Sequence, residues 1–168
     1  MKSATIRRSA ALAPLLVGLL GGCGIPSTGV LNSGAPATGL IRGMRVYFAT
    51  DAGLRAVSRP SQAVEDLQDA LKLLSVGPSK SERASGMTNL LESIGGITAS
   101  GTGEKITVVL SEAELPADDN LRLGQLVCTL ARAQSVLHKE VRPDTVQVTV
   151  RTPRSSLGPY QCPFFIEQ

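Results

Sequence analysis

The sequence has no tryptophan, two tyrosines, three phenylalanines and a single histidine among its 168 residues. Leu, Val, Ile and Ala must therefore fill most of any core. Chemistry that needs an imidazole base has one candidate, His138, which follows a helical pattern beside Lys139 and Glu140. Histidines in such places usually face solvent or the end of a helix. Aromatic platforms for sugars are equally scarce.

Other signatures of catalysis are missing as well. The chain has no Gly-x-Ser-x-Gly elbow and no His/Cys/Asp group with metal-ligand spacing. The Gly-Pro-Ser-Lys-Ser segment at residues 77–81 lacks the first glycine of a phosphate-binding loop. Glu112 and Glu114 stand near Asp118 and Asp119 in a polar stretch, which is typical of a solvated acidic loop. We therefore predict no enzyme, no catalytic residue, no cofactor and no metal.

The only continuous apolar run that stands out is short. It covers residues 10–20, follows a few basic residues and ends in small residues before Cys23. A bilayer span needs about 20 apolar residues, whereas this pattern is typical of a secretory signal. We predict a signal peptide over residues 1–22.

Cys23 indicates which kind of signal peptide this is, because it is the last residue of the segment Leu20-Gly21-Gly22-Cys23. This segment resembles the lipobox of bacterial lipoproteins, in which the cysteine is lipidated and becomes the first mature residue. The resemblance implies a lipid anchor at the extracytoplasmic face of the cell membrane. An ordinary signal peptide with a chance cysteine is the alternative. Arg7 and Arg8 leave twin-arginine export open beside general secretion.

The net positive charge of the chain comes from the predicted signal peptide. The chain has 17 Lys+Arg against 14 Asp+Glu, and Lys2, Arg7 and Arg8 lie before the cleavage point, which leaves 14 against 14. The remaining residues show no basic cluster of the kind that binds nucleic acid. We therefore predict no nucleic-acid partner.

The part after Cys23 divides into a tether and one domain. Residues 23–43 are rich in Gly, Ser, Thr and Pro, a composition that favours open backbone over packing. Residues 44–168 have the length of one ordinary domain with a C-terminal extension. We expect the flexible, lipidated tether to hold the domain close to the membrane.

Hydrophobic periodicity in the domain predicts two helices on one face of a mainly antiparallel sheet, an α+β fold of order ββαββαβ. The predicted elements are a hairpin over residues 46–57, a helix capped by Ser61 and ended by Gly77, a hairpin over 97–110, a helix capped at 118–120, and a strand over 146–150. The apolar positions of the first helix are Val64, Leu67, Ala70, Leu71 and Leu74, and those of the second are Leu123, Leu126, Val127, Leu130 and Ala131.

The predicted domain resembles the GerMN domain, a sporulation and spore-germination module. The resemblance rests on residues spaced as in the family signature: Leu71, Leu74, Gly77, Pro78, Glu82, Gly86 and Leu90. Downstream, residues 106–111 look like the family's central strand and 125–130 like its second helix. The resemblance covers about residues 44–150. For Glu82 we expect hydrogen bonds to loop backbone rather than ligand binding.

Cys128 departs from the family pattern, because that helix position is expected to be apolar or aromatic. An exported domain lies in an oxidising compartment, and with Cys23 lipidated, Cys128 and Cys162 are the remaining thiols. We predict a disulfide that ties the C-terminal tail to the second helix. Two separate thiols are the alternative. Pro153, Pro159 and Pro163 make the tail a poor helix or central strand.

Two functions remain. The resemblance implies a domain associated with assembly of envelope complexes, so we expect a non-enzymatic protein-interaction module that is held at the membrane by the lipid on Cys23. Its partner would be an envelope protein, bound by a sheet edge or face. The alternative is a lipoprotein that binds cell-wall glycan or a small ligand through the loops at 79–89 and 112–119. The sequence does not indicate an oligomeric state.

Overall fold

The computed structural model describes residues 43–92 and 94–166. The predicted signal peptide and nearly all of the predicted tether, including Cys23, lie outside these residues. The elements are β1 (Arg45–Thr50), β2 (Gly53–Ser58), α1 (Leu67–Val76), α2 (Lys80–Ala84), β3 (Ile97–Thr102), β4 (Lys105–Leu110), α3 (Asn120–Leu137), β5 (Gln147–Arg151), β6 (Ser156–Tyr160) and α4 (Pro163–Ile166). None of the helices in this part of the chain has the length and hydropathy needed to cross a membrane. The α+β class is confirmed.

The first hairpin forms as predicted. β1 and β2 pair antiparallel from Arg45 opposite Ser58 to Thr50 opposite Gly53. The turn is short because Gly53 adopts φ +113°, which other residues rarely adopt. The Thr50 hydroxyl donates to the Gly53 carbonyl and accepts from the Ala52 N–H, which satisfies the turn internally.

Helix α1 begins later than the sequence pattern suggests, and the prediction that Ser61 caps it is wrong. The cap is Asp66, whose carboxylate accepts from the Asp69 N–H at 2.8 Å. A carboxylate at this position satisfies a first-turn N–H and complements the helix dipole. The buried face is the predicted one from Leu67 onward, with Ala70, Leu71 and Leu74.

The second hairpin starts a four-stranded sheet of order β3-β4-β5-β6. Its turn is tighter than expected, because Gly103 adopts φ +56° and the strands extend to Thr102 and Lys105. β4 and β5 run parallel, joined by the crossover through α3. The other pairs in the sheet are antiparallel.

The sheets are two rather than the predicted one. The β1–β2 hairpin forms a sheet of its own, and α3 lies along β1 where a third strand would otherwise pair. The Tyr47 N–H, which points away from β2, donates to the Thr129 hydroxyl of α3 at 3.1 Å. A short bridge between Ala49 and Thr88 occupies the same edge. The sequence pattern cannot distinguish this arrangement, because a helix hydroxyl replaces a strand carbonyl as the acceptor.

Helix α3 is the centre of the core. The sequence predicts one apolar face, but every residue from Leu123 to Gln134 is buried because strands and helices cover several sides. Its buried polar side chains all have partners. Arg132 donates to the Gly43 carbonyl and Gln134 to the Gly103 carbonyl.

The tail after residue 151 has more structure than predicted. Segment 156–160 forms an edge strand on β5, and α4 starts at Pro163. Both features tolerate proline, since an edge strand has one unpaired side and a first helical residue needs no intrahelical N–H bond. The prolines exclude a central strand, as expected, but not these two elements.

Candidate functional site

Four of the seven family-signature residues, Gly77, Pro78, Glu82 and Gly86, lie together in the segment that follows α1. Gly77 ends the helix at φ +75°, and its N–H donates to the Leu74 carbonyl at 3.0 Å. Ser79 then starts α2 with a capping box. Its hydroxyl accepts from the Glu82 N–H at 3.3 Å, and the Glu82 carboxylate accepts from the Ser79 N–H at 2.8 Å. The expected backbone bond of Glu82 is confirmed.

Two further signature residues, Pro78 and Gly86, lie at the ends of the same short helix. The Pro78 carbonyl accepts from the Arg83 guanidinium. Gly86 follows α2 at φ +82° and donates to the Arg83 carbonyl at 2.9 Å, while the Met87 N–H returns to the Glu82 carbonyl at 3.1 Å. These four signature residues thus hold a tight sequence of turn, short helix and turn.

Glu82 also makes an ion pair that its sequence neighbourhood does not indicate. The Arg59 guanidinium, just after β2, donates to both carboxylate oxygens of Glu82 at 2.8 and 2.7 Å. This bidentate bond from Arg59 lowers the pKa of Glu82 to about 2. Both side chains are less than one-fifth exposed, and the Arg59 guanidinium lies 5.7 Å from the ring centroid of Phe48. The pair therefore fixes the signature segment to the first hairpin.

A buried asparagine connects the end of that segment to two helices. Asn89 donates to the Leu74 carbonyl of α1 at 2.9 Å and accepts from the Leu91 N–H at 3.0 Å. It also accepts from the Gln125 amide of α3 at 2.8 Å, and Gln125 in turn accepts from the Leu90 N–H at 3.0 Å. No sequence signal indicates this network, because the partners lie 15 and 36 residues from Asn89.

Arg122 of α3 connects the ends of the two polar loops that were considered for ligand binding, at 79–89 and at 112–119. Arg122 donates to the Leu90 carbonyl at 3.0 Å and pairs with Asp119 at 3.0 Å. Asp119 also caps α3 as predicted, by accepting from the Arg122 N–H. Glu114 accepts from the Thr152 hydroxyl. Within residues 43–92 and 94–166, no three His, Cys, Asp or Glu side chains form a group that could hold a metal ion.

The predicted disulfide is present. Cys128 of α3 and Cys162 are bonded, with a Cα–Cα distance of 4.7 Å, and both residues are buried. The bond holds α4 against α3, where Phe165 lies over Gly124. A methyl group at Gly124 would approach Leu54 and Phe165 to under 3 Å, so hairpin, helix and tail meet closely there.

His138 ends α3. Its N–H donates to the Gln134 carbonyl at 2.9 Å, and its Nδ1 lies 3.8 Å from the Glu140 carboxylate, with the imidazole about half exposed. This is the solvated helix end expected from the sequence.

Two surface depressions are relevant to ligand binding. A groove of about 520 Å³ lies between α1 and the start of β3, and its lining has no aromatic side chain. A cleft of about 280 Å³ beside β6 is lined by Gln147, Pro159, Tyr160, Gln161 and Phe164. Tyr160 and Phe164 lie 6.2 Å apart between ring centroids. The second depression therefore combines amide and aromatic groups.

Comparison with known proteins gives one family. The model described as Germane, sporulation and spore germination, matches residues 45–150, which is more than half of the chain. The matched range contains both hairpins, the signature segment, α3 and all but the last residue of β5, and it ends before β6. No curated protein and no solved structure matches the chain.

Proposed function

The chain belongs to the Germane family of sporulation and spore germination, and we propose that it is a non-enzymatic protein-interaction or assembly module of the bacterial cell envelope. The observation that carries the proposal is the family match over residues 45–150. The contacts of the signature residues support it. Gly77, Pro78, Glu82 and Gly86 are engaged in turns, caps and an ion pair, which is the chemistry of a rigid scaffold.

We further propose that the module is anchored by a lipid on Cys23 at the extracytoplasmic face of the membrane. The lipobox-like segment before Cys23 supports this anchor. The Cys128–Cys162 bond gives independent support for export, because disulfides persist mainly in oxidising compartments.

Radiolabelled palmitate tests the anchor. Cells that express the wild-type chain are expected to incorporate label into it, and the Cys23→Ala variant is expected to incorporate none. Cys162→Ala is the matched control, since it removes a cysteine outside the lipobox-like segment and should stay labelled. Equal labelling of wild type and Cys23→Ala would refute the lipoprotein assignment.

Cross-linking in intact cells tests the interaction function. The tagged full chain is cross-linked, solubilised and isolated, and the co-purifying proteins are identified and compared with those of an unrelated tagged lipoprotein. Envelope proteins that are enriched with this chain alone are expected. Retention of peptidoglycan fragments without any enriched protein would contradict the proposal.

The alternative, a glycan-binding or small-ligand lipoprotein, is favoured by one observation, the aromatic cleft beside β6. Tyr160 and Phe164 could stack on a sugar ring while Gln147 and Gln161 bind its hydroxyls. The full chain would then bind purified peptidoglycan saturably, and Phe164→Ala would weaken this binding. A linear, unsaturated binding curve for wild type would eliminate the alternative.

A further inference from the structure

The two sheets differ in how their outer edges are protected. The outer edge of β3 lies under α1, and the Gln68 amide donates to the Ala99 carbonyl at 3.2 Å. β6 contains Pro159, which has no N–H, and its pairing with β5 shifts register between Val148 and Val150. Prolines and irregular pairing are common ways to block an edge. β2 has neither, and its six residues pair with β1 in an unbroken register.

The outward backbone groups of β2 follow from this register. Tyr47 and Ala49 of β1 point their N–H groups away from β2, to Thr129 and Thr88. In an antiparallel pair the residues opposite them also point outward, and these are Ala56 and Leu54. Among the residues that the structure describes, the backbone N–H and C=O groups of Leu54 and Ala56 have no hydrogen-bond partner.

One charged side chain stands on this strand. Arg55 is exposed, and it has no ion pair within residues 43–92 and 94–166. The hairpin carries Arg45 and Arg55 against a single acid, Asp51, in the turn. Toward a strand added antiparallel at this edge, Arg55 and Val57 would occupy non-hydrogen-bonded positions, where side chains come closest. The edge therefore suits a strand that places an acidic residue opposite Arg55 and an apolar one opposite Val57.

We propose that the outer edge of β2 is the docking site of this module, and that it binds an extended acidic segment of a partner protein as an added antiparallel strand. This proposal rests on the proposed interaction function and specifies its surface. The added strand would complete the hydrogen bonds of Leu54 and Ala56, and its acid would pair with Arg55.

Charge argues for this occupant over two others. The chain's own segment 24–43 contains no Asp or Glu, so it offers Arg55 no counterion. A second copy paired through β2 about Ala56 would place its Arg55 diagonally across from the first Arg55 on the same face, where like charges repel.

An NMR titration with defined peptides tests the site. The probe is an acetylated, amidated heptapeptide of alternating Thr and Val with one central Glu, and its control has Lys in place of Glu. Added to the isotope-labelled full chain in detergent, the Glu peptide is expected to slow hydrogen exchange at the Leu54 and Ala56 amides. The Arg55 and Val57 amides already donate to β1 and should change little.

Three variants sharpen the readout. Ala56→Pro removes an outward N–H without touching the bonds to β1 and is expected to abolish the protection, whereas the matched Ala56→Val keeps it. Arg55→Glu is expected to weaken binding of the Glu peptide about three- to tenfold and to strengthen binding of the Lys peptide, because a cross-strand charge pair reverses sign. No protection by either peptide at millimolar concentration overturns the proposal, as does equal binding of both by wild type. Protection that rises with protein concentration alone identifies a second copy and also overturns it.

The same variants distinguish a failure of this docking site from a failure of the proposed interaction function. If cross-linking recovers the same envelope partners with wild type and with Ala56→Pro, the edge is not the site, although the interaction function stands. If wild type recovers no specific partner, the interaction function itself fails.

Discussion

Glu82 shows how one side chain serves both local and long-range structure. Its carboxylate completes the capping box of α2 and accepts hydrogen bonds from both terminal nitrogens of the Arg59 guanidinium. The capping part is visible in the sequence, because Ser followed three residues later by Glu is a known helix-start pattern. Arg59 lies 23 residues away, so only the packed hairpin reveals the ion pair.

The ion pair predicts an acid-sensitive contribution to stability. The pKa of Glu82 is about 2 in the folded chain, against 4.5 ordinarily. A carboxylate with a lowered pKa stabilises the fold fully above its unfolded pKa and loses this effect as pH falls toward the folded pKa. Glu82→Gln keeps an acceptor for the capping box but removes the charge. We expect it to lower the free energy of unfolding by about 1 to 2 kcal/mol at pH 7 and by less at pH 3.

Urea unfolding at both pH values measures this difference. Glu92→Gln is the matched control, because Glu92 is exposed and forms no ion pair among the residues described. A loss that is the same at pH 7 and pH 3 would show that the charge is not its source.

At the scale of elements, the disulfide joins the tail to the domain core. It links α3 to residue 162, just before α4, across 34 positions of sequence. Packing adds to it, since Phe165 lies over Gly124, and Tyr160 and Phe165 meet with ring centroids 5.6 Å apart. The tail is therefore a fixed part of the domain, although the family match ends at residue 150.

Reduction of this bond is expected to destabilise the chain. In the chain-entropy model, a loop of this length contributes about 4 kcal/mol to the free energy of unfolding. The midpoint of urea unfolding should fall when dithiothreitol is added. The Cys23→Ala variant should lose as much as wild type, since it keeps the disulfide, whereas Cys128→Ala/Cys162→Ala should not respond. A double variant that still responds to reductant would contradict this explanation.

At the scale of the whole molecule, Asn89 connects α1, α3 and the loop after α2 in one arrangement. Its amide contacts α1, the following loop and α3 at once, in a site where the residue is 7% exposed. Buried amides with all partners satisfied favour one packing over its alternatives, because any other leaves them unpaired.

Asn89→Ala is expected to lower the free energy of unfolding by about 2 to 4 kcal/mol, since it removes the acceptor of the Leu91 N–H and of the Gln125 amide and leaves the Leu74 carbonyl only its bond from the Gly77 N–H. Hydrogen exchange should accelerate in α1 and α3 together. The matched control is Asn120→Ala, an exposed asparagine at the start of α3, with an expected change within about 0.5 kcal/mol. Faster exchange in α1 alone would show that Asn89 does not couple the helices.

The sequence by itself determined the local structure and the family. Turn chemistry and periodicity predicted both hairpins, both main helices and the stop at Gly77, because these depend on neighbours within a few residues. The signature residues predicted the family, and counting cysteines, with export expected from the signal-like N-terminus, predicted the Cys128–Cys162 pair.

The tertiary structure decided which surfaces those elements present to each other. Only the packed chain shows that α3 replaces a strand beside β1, that the hairpin is a separate sheet and that Arg59 reaches Glu82. It alone also shows that the outer edge of β2 pairs with no other strand among residues 43–92 and 94–166. These features depend on residues far apart in sequence, whose meeting is set by how the whole core fills space. Local patterns carry no record of that choice, because the same backbone N–H can donate to a strand carbonyl or to a helix hydroxyl.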